Sequence, residues 1–122
     1  MSHQDVVLTI PGSVGFVRLA RLAAADSGAR VGMPVEDIED LRIAVDELCF
    51  AMSQGAADCT IQLTFRVHDD AVEVFGTTTC AVGTGELSEL ARTIVSSVVD
   101  DYDLSSGPTE RQFRMRKAVP AG

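Results

Sequence analysis

Three large function classes are argued against by what this chain lacks. No run of about 18 apolar residues occurs, so no helical membrane span is expected. Basic residues are scarce, ten Lys and Arg against eighteen Asp and Glu, and the formal charge of −8 repels nucleic acid phosphate while suiting basic protein partners. The opening MSHQDVVLTIP has neither the basic start nor the long apolar stretch and small-residue cleavage site of a secretory signal, and a cytoplasmic location is expected. Cysteine is limited to Cys49, Cys59 and Cys80, an odd number without the CxxC or Cys/His spacing of zinc or redox sites. All three read as buried thiols acting as small hydrophobes. The two histidines, His3 and His68, fall beside a chain end and an Asp69-Asp70 turn and read as ordinary surface residues.

What is present suffices for a core. A hydrophobic content of 46% over 122 residues suits one domain, residues 1–122. DVVLTI (5–10) alternates weakly and stops at Pro11-Gly12, as a strand ended by a turn does. A helix is expected from Ser13 to Ser27-Gly28, with Val14, Val17, Ala20, Leu22 and Ala24 as its apolar stripe and Phe16 and Leu19 alongside. After Gly32 and Pro34 a second helix begins, its positive end matched by Glu36, Asp37, Glu39 and Asp40, and runs to Gln54-Gly55. CTIQLTFRVHDDAVEVFGTTT reads as an antiparallel hairpin turning at 68–70, with Ile61, Leu63, Phe65 and Val67 facing Val72, Val74 and Gly76. A glycine-rich loop at 77–85 leads to a third helix over 85–104, with Leu87, Leu90, Ile94 and Val98 at helical spacing. TERQFRMRKAV closes as a strand with Phe113 and Met115 inward; Arg111, Arg114, Arg116 and Lys117 are expected on the outward side of an edge strand. Helices on one face of a mostly antiparallel sheet make the expected fold α+β, a two-layer α/β sandwich.

The most informative stretch is DLRIAVDELCFAMSQGA, residues 40 to 56. Ile38, Leu41, Val45, Leu48 and Met52 form its core stripe, and Asp40, Ala44, Glu47 and Ala51 fall on the neighbouring one. This helix, placed after a Gly/Pro break in this order of elements, resembles the GHKL (histidine-kinase-like ATPase) domain of bacterial anti-sigma factors with serine-protein-kinase activity. Those proteins carry roughly LAVxExxxNAxxHA, and IAVDELCFAMSQGA stands here in the same frame.

The resemblance implies a site as well as a fold. In the family a glutamate serves as general base or orients a hydroxyl, and an asparagine one turn later lends a neutral oxygen to the magnesium of ATP. Glu47 matches the glutamate, Ala51 replaces the asparagine, and Gln54 or Gly55 stands at the histidine. The family's Asp-x-Gly-x-Gly, which reads adenine, is reduced to Phe75-Gly76-Thr77-Thr78, and the phosphate lid to VGTGELSEL, with Gly83 and Gly85. Glu47 is thus the catalytic candidate, and Glu47, Gly76, Gly83 and Gly85 are the cofactor-binding candidates. With each charge-assisted contact worth about 1.5–3 kcal/mol, no bound cofactor is expected unless the site is retained for ATP and Mg2+.

Three readings stay open. The chain is a binding module that sequesters a sigma factor and is countered by a STAS-type anti-anti-sigma antagonist, with Arg18 and Arg21, or Glu36, Asp37, Glu39 and Asp40, as contacts. Alternatively it is a serine protein kinase phosphorylating that antagonist, with Glu47 as base. A homodimer through the third helix is the last, since family members resemble homodimers, although a core-facing helix has the same pattern. Glu47 beside Asp46 and Arg42 also fits a solvated acidic face, as the other charges do.

Overall fold

The computed structural model describes residues 4–120, so His3 lies outside the described residues. Five strands and three helices follow in the order β1 (Gln4–Pro11), α1 (Val14–Arg30), α2 (Val35–Ser53), β2 (Thr60–Val67), β3 (Ala71–Thr78), α3 (Glu89–Val98), β4 (Asp101–Ser106) and β5 (Arg111–Ala118). The strands form one sheet in the order β1-β2-β3-β5-β4, and every neighbouring pair is antiparallel. Helices lie over one face, as the sequence predicts: an α+β two-layer sandwich.

Period-two alternation sets the inner face. Ile10, Ile61, Leu63, Phe65, Val72, Val74, Phe113 and Met115 are buried on it, against Ala20 and Ala24 of α1 and Leu41, Val45, Leu48 and Met52 of α2. Small residues let α1 approach α2 closely. A side chain added at Gly28 would come within 3.0 Å of Ile38 and 3.3 Å of the Met33 sulfur. The solvent face is charged: Asp5, Arg66, Glu73, Arg116 and Asp101 stand opposite one another in register, alternating in sign across all five strands. Two hydrogen bonds from Arg66 to Asp5 and those from Arg114 to Asp101 and Glu73 raise both guanidinium pKa values, chiefly through the Asp5 and Asp101 bonds.

Several expectations are corrected. The buried face of α1 is Val17, Ala20, Ala24, Ser27 and Gly28, whereas Val14, Phe16, Leu19 and Leu22 are exposed. The third helix is shorter than expected, because Val98-Val99 ends it and DYDLSS pairs as β4 beside β5. Ala91 and Val95 bury its face; Leu87 is buried ahead of the helix, and Leu90 is 70% exposed. β5 is therefore internal rather than an edge strand. Arg111 and Lys117 join Phe113 and Met115 on its buried side, at either end of an apolar row.

The cysteines also depart from expectation: Cys59 and Cys80 form a disulfide, and Cys49 alone is free. The hairpin explains the pairing. Its register joins Gln62 to Thr77, and three further steps along both strands reach Cys59 and Cys80, with Cα atoms 5.3 Å apart. Cys49 is a buried thiol as expected. Burial first, then the Asp46 carboxylate, pushes its pKa from 9.0 up to about 12. An unfolded chain gives up that proton near pH 9 while the native one keeps it to about 12. Stability therefore falls as pH rises across this interval, and the stability difference between the wild type and Cys49→Ala, read from denaturant melts from neutral to alkaline pH, should change only there.

Candidate functional site

α2 carries the centre of the site. Pro34 precedes it, Glu36 and Asp37 sit in its first turn, and it ends where Gln54 adopts a left-handed conformation (φ 52°). The core stripe turns Ala44 and Ala51 under cover and leaves Glu47 half-buried on the flank. A cleft of about 540 Å³ opens there, between the last two turns of α2, the loop 79–88 and the start of α3. Glu47, Ala51 and Gln54 line one wall; Gly83, Thr84, Glu86, Leu87 and Ser88 line the other. Ser88 caps α3, its hydroxyl accepting from the Ala91 amide at 3.1 Å.

The loop is held in place from beneath. Arg111, 8% exposed, donates to the carbonyls of Val82 (2.5 Å), Gly83 (2.6 Å) and Met52 (3.2 Å), which joins the loop to the end of α2. Gly83 and Gly85 take positive φ of 69° and 75°, a region that side chains disfavour. A side chain on Gly83 would also press on Gln54, and one on Gly85 on Arg111 and Ser106. The disulfide anchors the same loop near its start.

Of the cofactor candidates the structure brings Glu47 and Gly83 together in this cleft. Gly85 lines the adjoining cavity of about 620 Å³ beyond the loop, with Arg92, Tyr102 and Asp103. Gly76 lines neither. It pairs with Phe113 across β3 and β5, and a Cβ there would lie 2.2 Å from the ring, so its missing side chain makes room for the core. Gly76→Ala is expected to cost about 2 kcal/mol by overpacking, read from urea denaturation.

The partner candidates separate into two kinds. Arg18, Glu36 and Glu39 are exposed, Glu39 bonding Arg42 at 2.9 Å, whereas Arg21 holds Asp46 at 2.6 Å across the two helices. Asp37 and Asp40 face the buried ammonium of Lys117 at 3.5 and 3.8 Å, and that ammonium also donates to the Val98 carbonyl at 2.8 Å. Those two aspartates help to hold α2 and the end of α3 to β5. Sequence reasoning missed Arg111, Lys117, Glu86 and the disulfide. For the basic residues the usable signal was their alternation with Phe113 and Met115, which places Arg111 and Lys117 on the inward side.

No family model matches the chain. A stretch of 76 residues is 33% identical to "Serine-protein kinase RsbW" of Halalkalibacterium halodurans, covering 61% of this chain and 47% of that protein. The resemblance drawn from the helix motif is borne out. The protein of the same name from Listeria innocua is 32% identical over 76 residues (59% of this chain, 48% of that one), and that of Bacillus cereus 30% over 74 residues (58% and 46%). The chain thus spans about half the length of the curated relatives it matches.

Against the magnesium-ATP site that the family resemblance implies, the donor set of this cleft is poor. Ala51, where the resemblance expects a metal-binding asparagine, has no side-chain oxygen, and Asp46 is already engaged by Arg21. Among the described residues no group of three or more His, Cys, Asp or Glu could hold a metal ion. Two carboxylates, Glu47 and Glu86, and no Lys or Arg line the cleft, so a triphosphate would meet like charge there. The residues present do not fit magnesium-ATP. No described helix is long and apolar enough to cross a membrane.

Proposed function

We propose that this chain is a single anti-sigma domain, residues 1–122, which sequesters a sigma factor in the cytoplasm by surface contact and is displaced by a STAS-type anti-anti-sigma antagonist. One observation carries the reading. The chain is similar to proteins named serine-protein kinases, yet Ala51 stands where the resemblance expects the metal-binding asparagine, in a cleft bounded by Glu47 and Glu86. A fold of this kind without the expected metal ligand fits a protein used for its surface. The net charge of −8 suits basic segments of a partner.

Mixing the purified chain with a panel of alternative sigma factors from its host, then adding core RNA polymerase, tests this. Capture of one sigma factor that blocks holoenzyme assembly is the expected result; retention of none overturns the reading. Charge reversal belongs at Arg18, Glu36 and Glu39, because Asp37 and Asp40 are tied to Lys117 and their loss would disturb the fold instead.

A second reading rests on Glu47, which lines the cleft and which the resemblance matches to the family's catalytic glutamate. In it the chain is an ATP-dependent serine protein kinase acting on its antagonist. Transfer of labelled phosphate that disappears in Glu47→Ala supports that reading, and transfer that survives removes the role given to Glu47. Sedimentation of the free chain reads out the homodimer that the family resemblance suggests.

A further inference from the structure

The disulfide lies where a covalent bond has the most leverage on the cleft. Cys59 precedes β2, and Cys80 opens the loop 79–88, whose Gly83, Thr84, Glu86, Leu87 and Ser88 form one wall of the Glu47 cleft. Backbone bonds hold both cysteines independently of the sulfur link. The Gly12 amide donates to the Cys59 carbonyl at 2.7 Å, the Thr78 hydroxyl donates to the Thr60 carbonyl at 2.7 Å, and the Cys80 amide donates to that hydroxyl at 3.1 Å. These bonds remain when the sulfurs are reduced, so the two thiols stay facing each other at the mouth of the hairpin. Their environments differ in a useful way: Cys80 is half-exposed and Cys59 is buried.

We propose that Cys59 and Cys80 are a site of reversible oxidation by small-molecule disulfides of the glutathione type, and that the bond sets how firmly the loop 79–88 is held over the cleft. The exposed Cys80 thiolate attacks one sulfur of the oxidant, forming a mixed disulfide and releasing one thiol. Cys59 then attacks the Cys80 sulfur and releases the second thiol. Two protons and two electrons pass to the oxidant, which becomes two thiols, and one protein disulfide forms. Reduction runs the same steps backwards. Disulfides persist in oxidising compartments and are transient where glutathione keeps thiols reduced, so the poise of the compartment decides which form is held.

Cys49 takes no part. It is fully buried, and its thiol is pushed up to about 12, far from the thiolate form that exchange requires. The consequence for the loop follows from its two anchors. Oxidised, it is tied covalently at Cys80 and gripped by Arg111 at the Val82 and Gly83 carbonyls; reduced, it keeps the Arg111 grip and the Cys80 amide bond to the Thr78 hydroxyl but loses the covalent tie.

The test uses the whole native chain, equilibrated in glutathione buffers of graded redox poise and then quenched. Alkylation under denaturing conditions with intact mass should show two thiols converting together, with Cys49 labelled throughout. Amide hydrogen exchange of residues 79–88 should be roughly tenfold faster in the reduced form while α2 keeps its protection. In Cys80→Ser, loop exchange should match the reduced wild type and ignore the buffer, whereas Cys59→Ser should stop at the mixed disulfide on Cys80, seen by intact mass, and never reach the protection of the oxidised wild type. A bond that resists reduction unless the chain unfolds, or loop exchange equal in both forms, overturns the proposal. The wild-type comparison stands even if either variant folds poorly.

Discussion

Replacing Arg111 with methionine is expected to cost about 3 kcal/mol of stability, because hydrogen bonds to a charged group are worth about 1.5–3 kcal/mol and three carbonyls lose their donor together. Methionine keeps much of the length and apolar stem, so the loss is one of hydrogen bonding more than volume. Met52, Val82 and Gly83 would be left with carbonyls short of partners. Two of these lie in the loop and one at the end of α2, so the wall of the cleft should loosen before the sheet does. Urea denaturation reads the global cost, and amide exchange of the loop reads the local one. A near-neutral substitution with an unchanged loop would mean that the guanidinium is a bystander and that other contacts hold the wall.

Leu48→Ala should be about as costly, about 3 kcal/mol, since deleting a fully buried leucine side chain leaves a cavity that the packed layers cannot close. Glu47→Ala, one residue away on the half-buried flank, is expected to change stability by less than about 0.5 kcal/mol, as substitutions away from core and network features do. The contrast separates the two roles of the motif helix. If Leu48 holds the sandwich together and Glu47 does not, any loss of sigma binding or phosphate transfer in Glu47→Ala belongs to function and not to folding. Equal costs at both positions would place Glu47 in the core and remove it as a functional candidate.

Much of this architecture was legible in the sequence wherever one periodicity ruled a segment. The stripe Leu41, Val45, Leu48, Met52 gave α2, and Ile61, Leu63, Phe65 against Val72, Val74, Gly76 gave the hairpin and its inner face. Misreadings arose where two patterns overlapped. The spacing of Leu87, Leu90, Ile94 and Val98 suggested a helix continuing to residue 104, while the alternation in Asp-Tyr-Asp-Leu was already that of a strand. Missing β4 turned β5 into an apparent edge, and its inward Arg111 and Lys117 then passed for solubilising charges. The disulfide was within reach of the hairpin already drawn, since a turn at 68–70 brings residues 59 and 80 to within one position of each other and the observed register makes them opposite; counting cysteines and searching for CxxC looked along the chain and not across the ladder. In α1 exposed Phe16, Leu19 and Leu22 resemble core residues by type, and only packing against α2 shows that Ala20, Ala24 and Gly28 are the buried side. For the candidate cleft, Glu47 and Gly83 were named because the family resemblance pointed to them, whereas Glu86 sits in a loop whose fold depends on the buried Arg111.

The most direct measurement is a calorimetric titration of the whole chain with ATP and magnesium, with Ala51→Asn beside it. The account predicts no detectable heat for the natural sequence up to millimolar ATP, because the cleft presents Glu47 and Glu86, with Ala51 where the resemblance expects asparagine and no cationic side chain in its lining. Restoring the asparagine oxygen alone should improve binding only weakly. Micromolar binding by the natural sequence would contradict the account and make phosphate transfer to the antagonist the leading function.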